Sequence, residues 1–456
     1  MAYHEWLSAL LIACSLGRMG ALPKTVPLEV GIPYVQQGVP IRVGIAQYAQ
    51  AVKVVAAGRT TVTMDADGAS SSGTLRRGDS LWARPDGDRI LVEAAGRTAR
   101  CQMVTLRTPR AHLRVYSWGA SSRRGVYGGD LEVVLDDNGT LSAVNVLPLE
   151  RYLTGVVPAE VPVSFHAEAL KAQAIIARTW AVHNLGKHSR QGFDLCDGMH
   201  CQQYRSAAGT PRVRAAVAAT AGQVLAYRGA LVETVYHAVC GGYVDDPHRV
   251  WKGYLVPYLR ATADRPGGGY VSGDDADEEQ VARLLAETSS SYCAGGPRYR
   301  WRRSFSAAEA QRLLDANLSL LTAVSGAPGR LIDMRAESRS PGGRVQRLRI
   351  VTDRAEYEVK RDHIRWLFGD GKAGPNGLPS TLFRLHVERD ARGKPSRFVF
   401  DGAGWGHGLG LCQYGANGRA RAGASAREIL QAYYPGAEVI DLSTVRYARP
   451  EWEQSQ

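Results

Sequence analysis

The sequence predicts an α+β fold with a β-rich N-terminal part, on three observations. Short apolar or alternating runs separated by Gly and Asp turns fill residues 27–115, which is typical of β-strands. An Ala-rich apolar pattern of helical period then runs from about residue 164 to residue 183. Beyond it, helix and strand patterns are mixed without any repeat of fixed period. Fifty glycines and twenty-one prolines argue against a purely helical protein.

The elements follow in chain order. IRVGIAQ (41–47), AVKVVAAG (51–58) and RILVEAAG (89–96) are predicted strands, and residues 129–147 are a predicted hairpin that turns at Asp-Asn-Gly. Ser164 is the expected N-cap of the long helix, and Gly186 its expected stop. Further helices are predicted near 211–221, 276–288 and 306–322, and at the end in SAREILQAYY. LIDMRAES, VQRLRIV and EYEVKR predict a three-strand meander.

These patterns divide the chain into five predicted segments. Residues 1–26 are an export signal or lipoprotein-like N-terminus, and 27–115 are a β-rich N-terminal domain. Residues 116–262 form the core, 263–400 an inserted α+β section, and 401–456 a Gly-rich motif and C-terminal helix that complete the core. One large folded unit is therefore expected from about residue 115 onward.

The N-terminus predicts export. An apolar run, LSALLIA, directly precedes Cys14, and LIAC resembles a bacterial lipobox, in which the cysteine is lipidated. The residues before it include no Lys or Arg, so a cytosolic N-terminal helix or a mis-assigned start of the chain is the alternative. No later segment has the ~18 consecutive apolar residues of a spanning helix. We expect an envelope protein, in the periplasm or on the outer face of a membrane, with Cys14 as a candidate membrane anchor.

The charge balance is basic but dispersed. The formal net charge is +12, from 56 basic and 44 acidic residues, and RWRR at 300–303 is the densest basic run. No compact basic helix stands out, which favours a solvated surface and gives no indication of nucleic-acid binding. Seven cysteines in 456 residues do not suggest a disulfide framework.

One glutamate lies between two prolines just before the long helix. Pro158 and Pro162 fix their own φ angles and push the residues before them toward extended geometry. Glu160 is therefore expected in a stiff, non-helical connection that aims its carboxylate. A following helix N-terminus would favour the anion, whereas a general acid must hold its proton, so burial would have to outweigh the helix. A surface or capping glutamate is the alternative to a catalytic one.

The stretch DLCDGMHCQQY predicts a metal site. Cys196, His200 and Cys201 offer two thiolates and one imidazole within six residues, a donor set that suits zinc. The candidates for a fourth ligand are His188, or His237 and Cys240 farther along the chain. A disulfide between the two cysteines and a pair of free thiols are the alternatives.

A Gly-rich stretch, GWGHGLGLCQYGA, surrounds His407. Its glycines permit sharp turns or close approach to a ligand, but the phosphate-loop and dinucleotide fingerprints are missing from it. Gln413 and Tyr414 are candidates for sugar contacts, with ordinary polar packing as the alternative. For the segment around His407, a structural turn with a buried, satisfied histidine is the alternative to a ligand site.

Together these motifs resemble the SpoIID/LytB family. The resemblance rests on LPLERYLTGVVPAEVP with KAQAIIARTWA, then HCQQY, YHAVCGG, and GWGHGLGLCQYGA with AYYPGAEV, and it spans about residues 115–445. It implies a SpoIID-like mixed domain with a long catalytic helix and several small β-sheets. It also implies a peptidoglycan lytic transglycosylase that acts on peptide-free glycan strands, with Glu160 as the catalytic acid and base. LytB-type members are described as amidase enhancers, so a cell-wall amidase is an implied partner.

The resemblance also implies residue roles. A structural zinc ion would be held by Cys196, His200 and Cys201, with His188 as the fourth ligand. Arg178, Gln202, Tyr204, His407 and Gln413 are the expected glycan-binding residues. For Arg178, which lies on the long helix, an ion-paired or surface arginine is the alternative. A zinc-dependent amidase and a glycan-binding enhancer without catalysis are the other two functions that remain open.

Overall fold

The computed structural model describes residues 40–445, except residues 110, 121, 206–208, 252–254, 270, 272–275, 323–325 and 370–376. It is 25% helical and 39% strand, which confirms the α+β class. The predicted export signal, residues 1–26 with Cys14, lies outside the described residues. Among the residues described, no helix combines the length and apolar character needed to cross a membrane.

In chain order the described strands are β1 (Ile41–Ala56), β2 (Thr60–Ala66), β3 (Ala69–Leu75), β4 (Ser80–Asp86), β5 (Arg89–Ala94), β6 (Arg97–Cys101), β7 (Met103–Arg107), β8 (His112–Gly119), β9 (Arg123–Gly128), β10 (Asp130–Leu135), β11 (Leu141–Leu147), β12 (Leu195–Cys196), β13 (Gln223–Tyr227), β14 (Ala230–Leu231), β15 (Tyr236–His237), β16 (Tyr243–Val244), β17 (Thr262–Ala263), β18 (Arg300–Ser306), β19 (Leu331–Arg339), β20 (Val345–Thr352), β21 (Glu356–Lys360), β22 (Phe383–Arg389), β23 (Pro395–Ala403), β24 (Leu411–Cys412) and β25 (Glu438–Asp441).

The described helices are α1 (Leu149–Glu160), α2 (Ala167–His183), α3 (Pro211–Ala219), α4 (Pro247–Val250), α5 (Glu278–Ala286), α6 (Ala307–Leu321), α7 (His363–Leu367), α8 (Gln413–Arg421) and α9 (Ala426–Tyr433), with 3-10 turns at Ser189–Gln191 and Leu442–Thr444.

The described chain forms two compact units. The N-terminal unit holds residues 40–233 and 438–445, and the C-terminal unit holds residues 234–437. This division differs from the predicted segments, because residue 115 lies inside β8 and the predicted boundary at 115/116 cuts a strand. The chain returns to the N-terminal unit at its end because β25 pairs antiparallel with β13.

The N-terminal unit is built on one sheet in which β1 is the central strand. β1 joins the two strands predicted at 41–47 and 51–58 into one. Its first half pairs with β11 and its second half with β4 and β8. Register shifts near Gly44 and Ala46, with a positive φ of 55° at Tyr48, let the strand bend between these partners. β10 and β11 form the predicted hairpin.

Helices α1, α2 and α3 follow this sheet and carry the candidate site. α2 begins at Ala167, later than the predicted Ser164, with His166 as its N-cap, and it ends at His183 as predicted. Most of its residues are buried, as expected for an Ala-rich helix that is apolar on several faces. α3 starts at Pro211 behind Thr210, whose hydroxyl accepts a hydrogen bond from the N–H of Val213.

The C-terminal unit contains the predicted meander and later helices. β19, β20 and β21 form an antiparallel sheet, and β18, β23 and β22 form a second one. Both sheets share a core with α6 that includes Leu318, Leu348, Phe383 and Phe400. Ser306 and Ser425 cap α6 and α9 in capping boxes, which explains why these helices begin where their patterns do.

Candidate functional site

Glu160 lies at the end of a helix and not in the extended connection that its two prolines predict. α1 continues through Pro158 and ends at Glu160, and Val161 leaves the helix at φ −134° and ψ 151°. Proline removes one hydrogen bond of a helix interior, a small loss two residues before the helix ends. Pro162 then forces its predecessor Val161 into extended geometry, as expected. The negative end of α1 lies at the Glu160 carboxylate and disfavours its charge, the reverse of the effect expected from a following helix N-terminus.

The carboxylate of Glu160 is partly buried and is held by the loop that follows the Cys/His stretch. The backbone N–H of Gln203 donates a hydrogen bond of 2.8 Å to Glu160 Oε1. The same loop is tied to α1 a second time, because the N–H of Arg205 donates to the carbonyl of Gly155 at 3.3 Å. The position of the carboxylate therefore depends on where residues 201–205 lie.

The four predicted metal ligands meet in one cluster. Donor atoms of His188, Cys196, His200 and Cys201 all lie within 4.8 Å of one another. His188 Nε2 is 3.2 Å from His200 Nδ1 and 3.4 Å from Cys201 Sγ. His200 Nδ1 is 3.9 Å from each of the two sulfurs. His237 and Cys240, the other candidates for a fourth ligand, belong to the C-terminal unit.

These separations fit a tetrahedral zinc ion. With Zn–N of about 2.05 Å and Zn–S of about 2.3 Å, tetrahedral angles place two nitrogens about 3.3 Å apart and nitrogen about 3.6 Å from sulfur. The observed spacings lie within ~0.4 Å of these values. Two thiolates and two imidazoles fill four positions, the donor number of a structural site rather than a catalytic one. Both cysteines are free thiols in this structure, without a disulfide between them.

A second layer of contacts orients His188. Its Nδ1 forms a hydrogen bond with Gln191 Oε1, which leaves Nε2 as the nitrogen that faces the cluster. Gln191 Nε2 in turn donates to the hydroxyl of Tyr48 at 2.9 Å, and the His188 ring stacks on Phe193. Such partners fix the tautomer and direction of a metal-binding histidine. The sequence offered no signal for Tyr48, because it lies far from the cluster along the chain.

The electrostatics of the cluster follow from burial and hydrogen bonding. The hydrogen bond with Cys201, with help from His188 and His200, lowers the pKa of Cys196 well below its usual range. Next to it, burial raises the pKa of Asp197 to about 6, against the opposing effect of Arg123. Arg123 reaches Asp197 at 3.4 Å and links β9 to the ligand loop.

Arg178 is a buried, ion-paired arginine, so its predicted glycan contact is wrong for this structure. It is 0% exposed. Its Nε and Nη2 donate to the two carboxylate oxygens of Glu150 at 2.8 and 2.7 Å, and its Nη1 donates to the carbonyl of Gln223 at 2.9 Å. The side chain thus joins α2 to the first turn of α1 and to β13, and it has no surface left for a ligand.

Gln202 and Tyr204 are also interior residues, and their predicted glycan contacts are corrected in the same way. They are 1% and 3% exposed. Gln202 accepts a hydrogen bond from the Tyr152 hydroxyl at 3.2 Å and donates to the carbonyl of Ala177 at 3.3 Å. The Tyr204 hydroxyl donates to Asn145 Oδ1 at 2.8 Å. These contacts anchor both sides of Gln203, whose N–H holds Glu160, so both residues position the site from behind.

His407 and Gln413 lie in the C-terminal unit. In the segment 404–410 every second residue is a glycine, and all four of these glycines have positive φ, from 62° to 114°, which explains the composition of the segment. His407 Nδ1 accepts from the N–H of Leu409 at 3.1 Å, and Nε2 donates to the carbonyl of Tyr236 at 2.9 Å. This pairing uses both nitrogens of a neutral ring, and burial lowers the pKa of His407 to about 4. His407 is thus a satisfied structural histidine.

Gln413 opens α8 and is only 7% exposed, so the structure gives it little surface for a sugar contact. Trp405, in contrast, is 38% exposed, and the guanidinium of Arg298 lies 4.3 Å from its ring centroid. The sequence motif contained Trp405, but its exposure could not be known without the fold.

Comparisons with known proteins agree with the resemblance found in the sequence. Residues 137–227 match the family model of the stage II sporulation protein SpoIID, and residues 245–410 match a domain of unknown function, DUF8618. Glu160 and the four clustered Cys and His residues all fall within the first match.

Three relatives are similar to this chain. An amidase enhancer of Bacillus subtilis is 29% identical over 303 residues, which are 62% of this chain and 39% of that protein. Stage II sporulation protein D of Bacillus amyloliquefaciens is 26% identical over 66% of this chain and 77% of the relative. The protein of the same name in Bacillus subtilis is 27% identical over 66% and 76%. The match to the amidase enhancer therefore spans well under half of that protein.

Proposed function

We propose that this chain, a member of the SpoIID/LytB family, is a lytic transglycosylase that cleaves the glycan backbone of peptidoglycan with Glu160 as its acid and base. The observation that supports the proposal most is the hydrogen bond from Gln203 N–H to Glu160 Oε1. It fixes a partly exposed carboxylate at a helix end through a loop that is itself held by the Cys/His cluster. A carboxylate on a rigid mount of this kind is what proton transfer in a transition state requires.

One carboxylate suffices for this reaction. Glu160 donates its proton to the glycosidic oxygen as the bond to the anomeric carbon breaks. It then accepts the proton of the sugar's own C6 hydroxyl, whose oxygen attacks the anomeric carbon and closes an anhydro ring. A hydrolase of the usual kind needs a second carboxylate to attack or to activate water. Intramolecular attack replaces that group and brings a large proximity advantage.

Zinc has a structural role in this proposal. His188, Cys196, His200 and Cys201 would hold it, and the ion would supply a fixed tetrahedral node for the loop at residues 196–201. Cys201 is two residues before Gln203, so the node would set the position of the N–H that holds Glu160. Four protein donors leave no position for a reacting water, which argues against a zinc-dependent amidase.

The test is Glu160→Gln, assayed on peptide-free glycan strands. The amide oxygen still accepts from Gln203 N–H, so the variant should fold like the wild type, but it cannot donate and take up a proton at neutral pH. We expect loss of cleavage by at least 100-fold. Glu168→Gln is the matched control, because Glu168 lies in the first turn of α2 and pairs with Lys171 at 2.7 Å. Equal activity in both variants would contradict the catalytic role.

A second candidate is a non-catalytic enhancer of a cell-wall amidase, which the printed name of the Bacillus subtilis relative favours. In that case the purified protein would bind glycan strands, release no product, and raise the turnover of an added amidase. Glu160→Gln would then leave the enhancement unchanged.

The proposed substrate requires an exported protein. We propose that the N-terminal segment directs export and that Cys14 is a candidate site of lipidation, which would anchor the protein to a membrane. Fractionation of cells with detection of the processed N-terminus tests this. An unprocessed chain found only in the cytosol would contradict both the localisation and the peptidoglycan substrate.

A further inference from the structure

The C-terminal unit contains a second cluster of metal-binding side chains, which neither the function nor the family resemblance accounts for. The cluster consists of four side chains that are each 0% exposed and whose donor atoms lie within 4.8 Å of one another: Cys240, Asp264, Cys293 and Cys412. Cys240 Sγ is 3.4 Å from Cys293 Sγ and 3.3 Å from Asp264 Oδ2. The four residues come from segments up to 172 positions apart along the chain.

Hydrogen bonds from side chains outside the cluster fix the orientation of the Asp264 carboxylate, as they do for many metal-binding carboxylates. Its Oδ1 accepts from the Tyr433 hydroxyl at 2.9 Å and from the Arg419 guanidinium at 3.0 Å. Its Oδ2 is the oxygen that faces the sulfurs. Arg419 itself is held between the rings of Tyr292 and Tyr433. Ligating carboxylates are commonly fixed through their second oxygen in this way.

Backbone N–H groups point at the sulfurs. Cys412 Sγ accepts from the N–H of Cys240 and from the N–H of Gly415, both at 3.2 Å. Cys240 Sγ accepts from the N–H of Gly242 at 3.4 Å. Cys412 is also the N-cap of α8, where the positive end of the helix favours a thiolate. Thiolate is the form that binds a metal, and a metal-bound thiolate accepts hydrogen bonds of this kind from backbone N–H groups.

The close packing around the Asp264 carboxylate requires a glycine at position 415. A Cβ at this position would collide with Asp264 Oδ2 and with the Tyr433 hydroxyl. Gly241 and Gly242 have φ of 78° and 121°, values that L-residues with a side chain rarely adopt, and these turns aim the Gly242 N–H back at Cys240.

Neither a plain core nor a disulfide accounts for the whole arrangement. A core of buried thiols would not require a carboxylate among them. Burying Asp264 costs free energy, and its ion pair with Arg419 offsets that cost without a net gain in stability. A Cys240–Cys293 disulfide would leave Cys412 with two N–H donors and Asp264 Oδ2 without its sulfur partner. A cation satisfies all four side chains at once.

We propose that Cys240, Asp264, Cys293 and Cys412 form a second, structural zinc site. Three sulfurs and one carboxylate oxygen in a closed, buried set suit a soft tetrahedral dication better than magnesium or calcium, which prefer oxygen donors. Zinc binding displaces the thiol protons into solvent. The ion joins the loop after β15, the end of β17, the loop at Cys293 and the start of α8, and so it fastens Cys412 behind the Gly-rich segment that carries His407.

The test is the zinc content of the full-length protein, purified from zinc-supplemented medium and measured by inductively coupled plasma mass spectrometry. We expect two zinc ions per chain for the wild type and one for Cys293→Ser, Cys412→Ser or Asp264→Asn. His188→Ala, which perturbs the cluster of the N-terminal unit, should also retain one. The double variant His188→Ala with Cys293→Ser should retain none. Cys101→Ser is the matched control, because Cys101 is a buried free thiol outside both clusters, and it should retain two.

The outcomes separate this proposal from the function proposed above. A wild type with a single zinc ion that is lost in His188→Ala overturns the second site and leaves the proposed function unaffected. A Cys240–Cys293 disulfide, found by mass spectrometry of the denatured, non-reduced and alkylated protein, also overturns it. Where a serine variant fails to fold, the wild type and His188→Ala still decide. Two ions in the wild type, or one ion that His188→Ala retains, support the second site; no ion, or one ion that His188→Ala loses, contradicts it.

Discussion

The hydrogen bond between Gln191 and His188 allows the cluster to be tested by a substitution that leaves all four proposed metal ligands in place. Gln191 Oε1 accepts from His188 Nδ1–H and so presents Nε2 to the cluster, and Gln191 Nε2 donates to Tyr48. Gln191→Leu keeps the side-chain volume and removes both hydrogen bonds. The imidazole then loses the hydrogen bond that fixes its tautomer and keeps only its stacking on Phe193, while all four donors stay in the chain.

The expected magnitude follows from linkage. Loss of an outer partner of a metal-binding histidine weakens metal binding by about 10- to 100-fold. At saturating free zinc, the stabilisation by zinc depends on the logarithm of its affinity, so the N-terminal unit loses about 1.4–2.7 kcal/mol. For a domain of this size each kcal/mol shifts Tm by about 2–4 °C, so the variant should melt about 3–11 °C below the wild type. In excess chelator the difference should shrink to what the two lost hydrogen bonds contribute to the metal-free fold, because zinc then stabilises neither protein.

The assay pairs a competition titration against a chromophoric zinc chelator with thermal unfolding in zinc and in chelator. Gln50→Leu is the matched control, an exposed glutamine in β1 of the same unit, and it should change neither quantity. Equal zinc affinity for Gln191→Leu and wild type would refute the account of the cluster. A Tm difference that persists unchanged in chelator would show that Gln191 stabilises the fold directly and not through the metal.

Three further predictions concern Arg178, His407 and Gly408, which the structure places in stabilising rather than substrate-binding roles. Arg178→Gln should destabilise the protein by about 1–3 kcal/mol in urea unfolding, because the carbonyl of Gln223 and the partly exposed Glu150 lose hydrogen bonds from a buried donor, with glycan affinity unchanged in the folded protein; a lower affinity at an unchanged unfolding midpoint would restore a substrate-binding role. His407 has its pKa lowered to about 4 in the fold, below the value of 6.5 that serves for the unfolded chain, so the unfolded state binds more protons between these values. Stability should therefore fall as the pH drops through this range, by about 2 kcal/mol at pH 5, and His407→Gln should lose that part of the pH dependence in urea titrations at pH 7 and 5; an identical fall in both proteins would contradict it. Gly408→Ala should lower Tm more than Gly423→Ala, because both positions have positive φ but only at Gly408 would the new Cβ collide, with the Arg344 guanidinium; equal losses would mean that backbone strain alone explains the glycine.

Local patterns predicted the elements well where the signal was local. The Asp-Asn-Gly turn located the β10–β11 hairpin, and the meander at β19–β21 followed from alternation. The four residues of the Cys/His cluster were predicted because three of them lie within six positions and the resemblance supplied His188. These features depend on neighbours along the chain, so sequence alone could find them.

The errors arose where a distant partner decides. Arg178 was expected at a glycan surface because the sequence does not show that Glu150, on another helix, pairs with it. Glu160 was expected outside a helix because prolines lie on both sides of it. Proline is unfavourable in the interior of a helix, but α1 ends only two residues after Pro158, so the helix tolerates it there. Asp264 and Cys293 gave no signal, since only the fold brings them to Cys240 and Cys412.

The measurement that tests the central claim most directly is the mass of the products released from peptide-free glycan strands by the wild-type protein. A single-glutamate transglycosylase should produce fragments that end in an anhydro sugar, one water lighter than the fragments of hydrolysis, and Glu160→Gln should release neither. Fragments with ordinary reducing ends, or new free amines from an amide bond, would contradict the account.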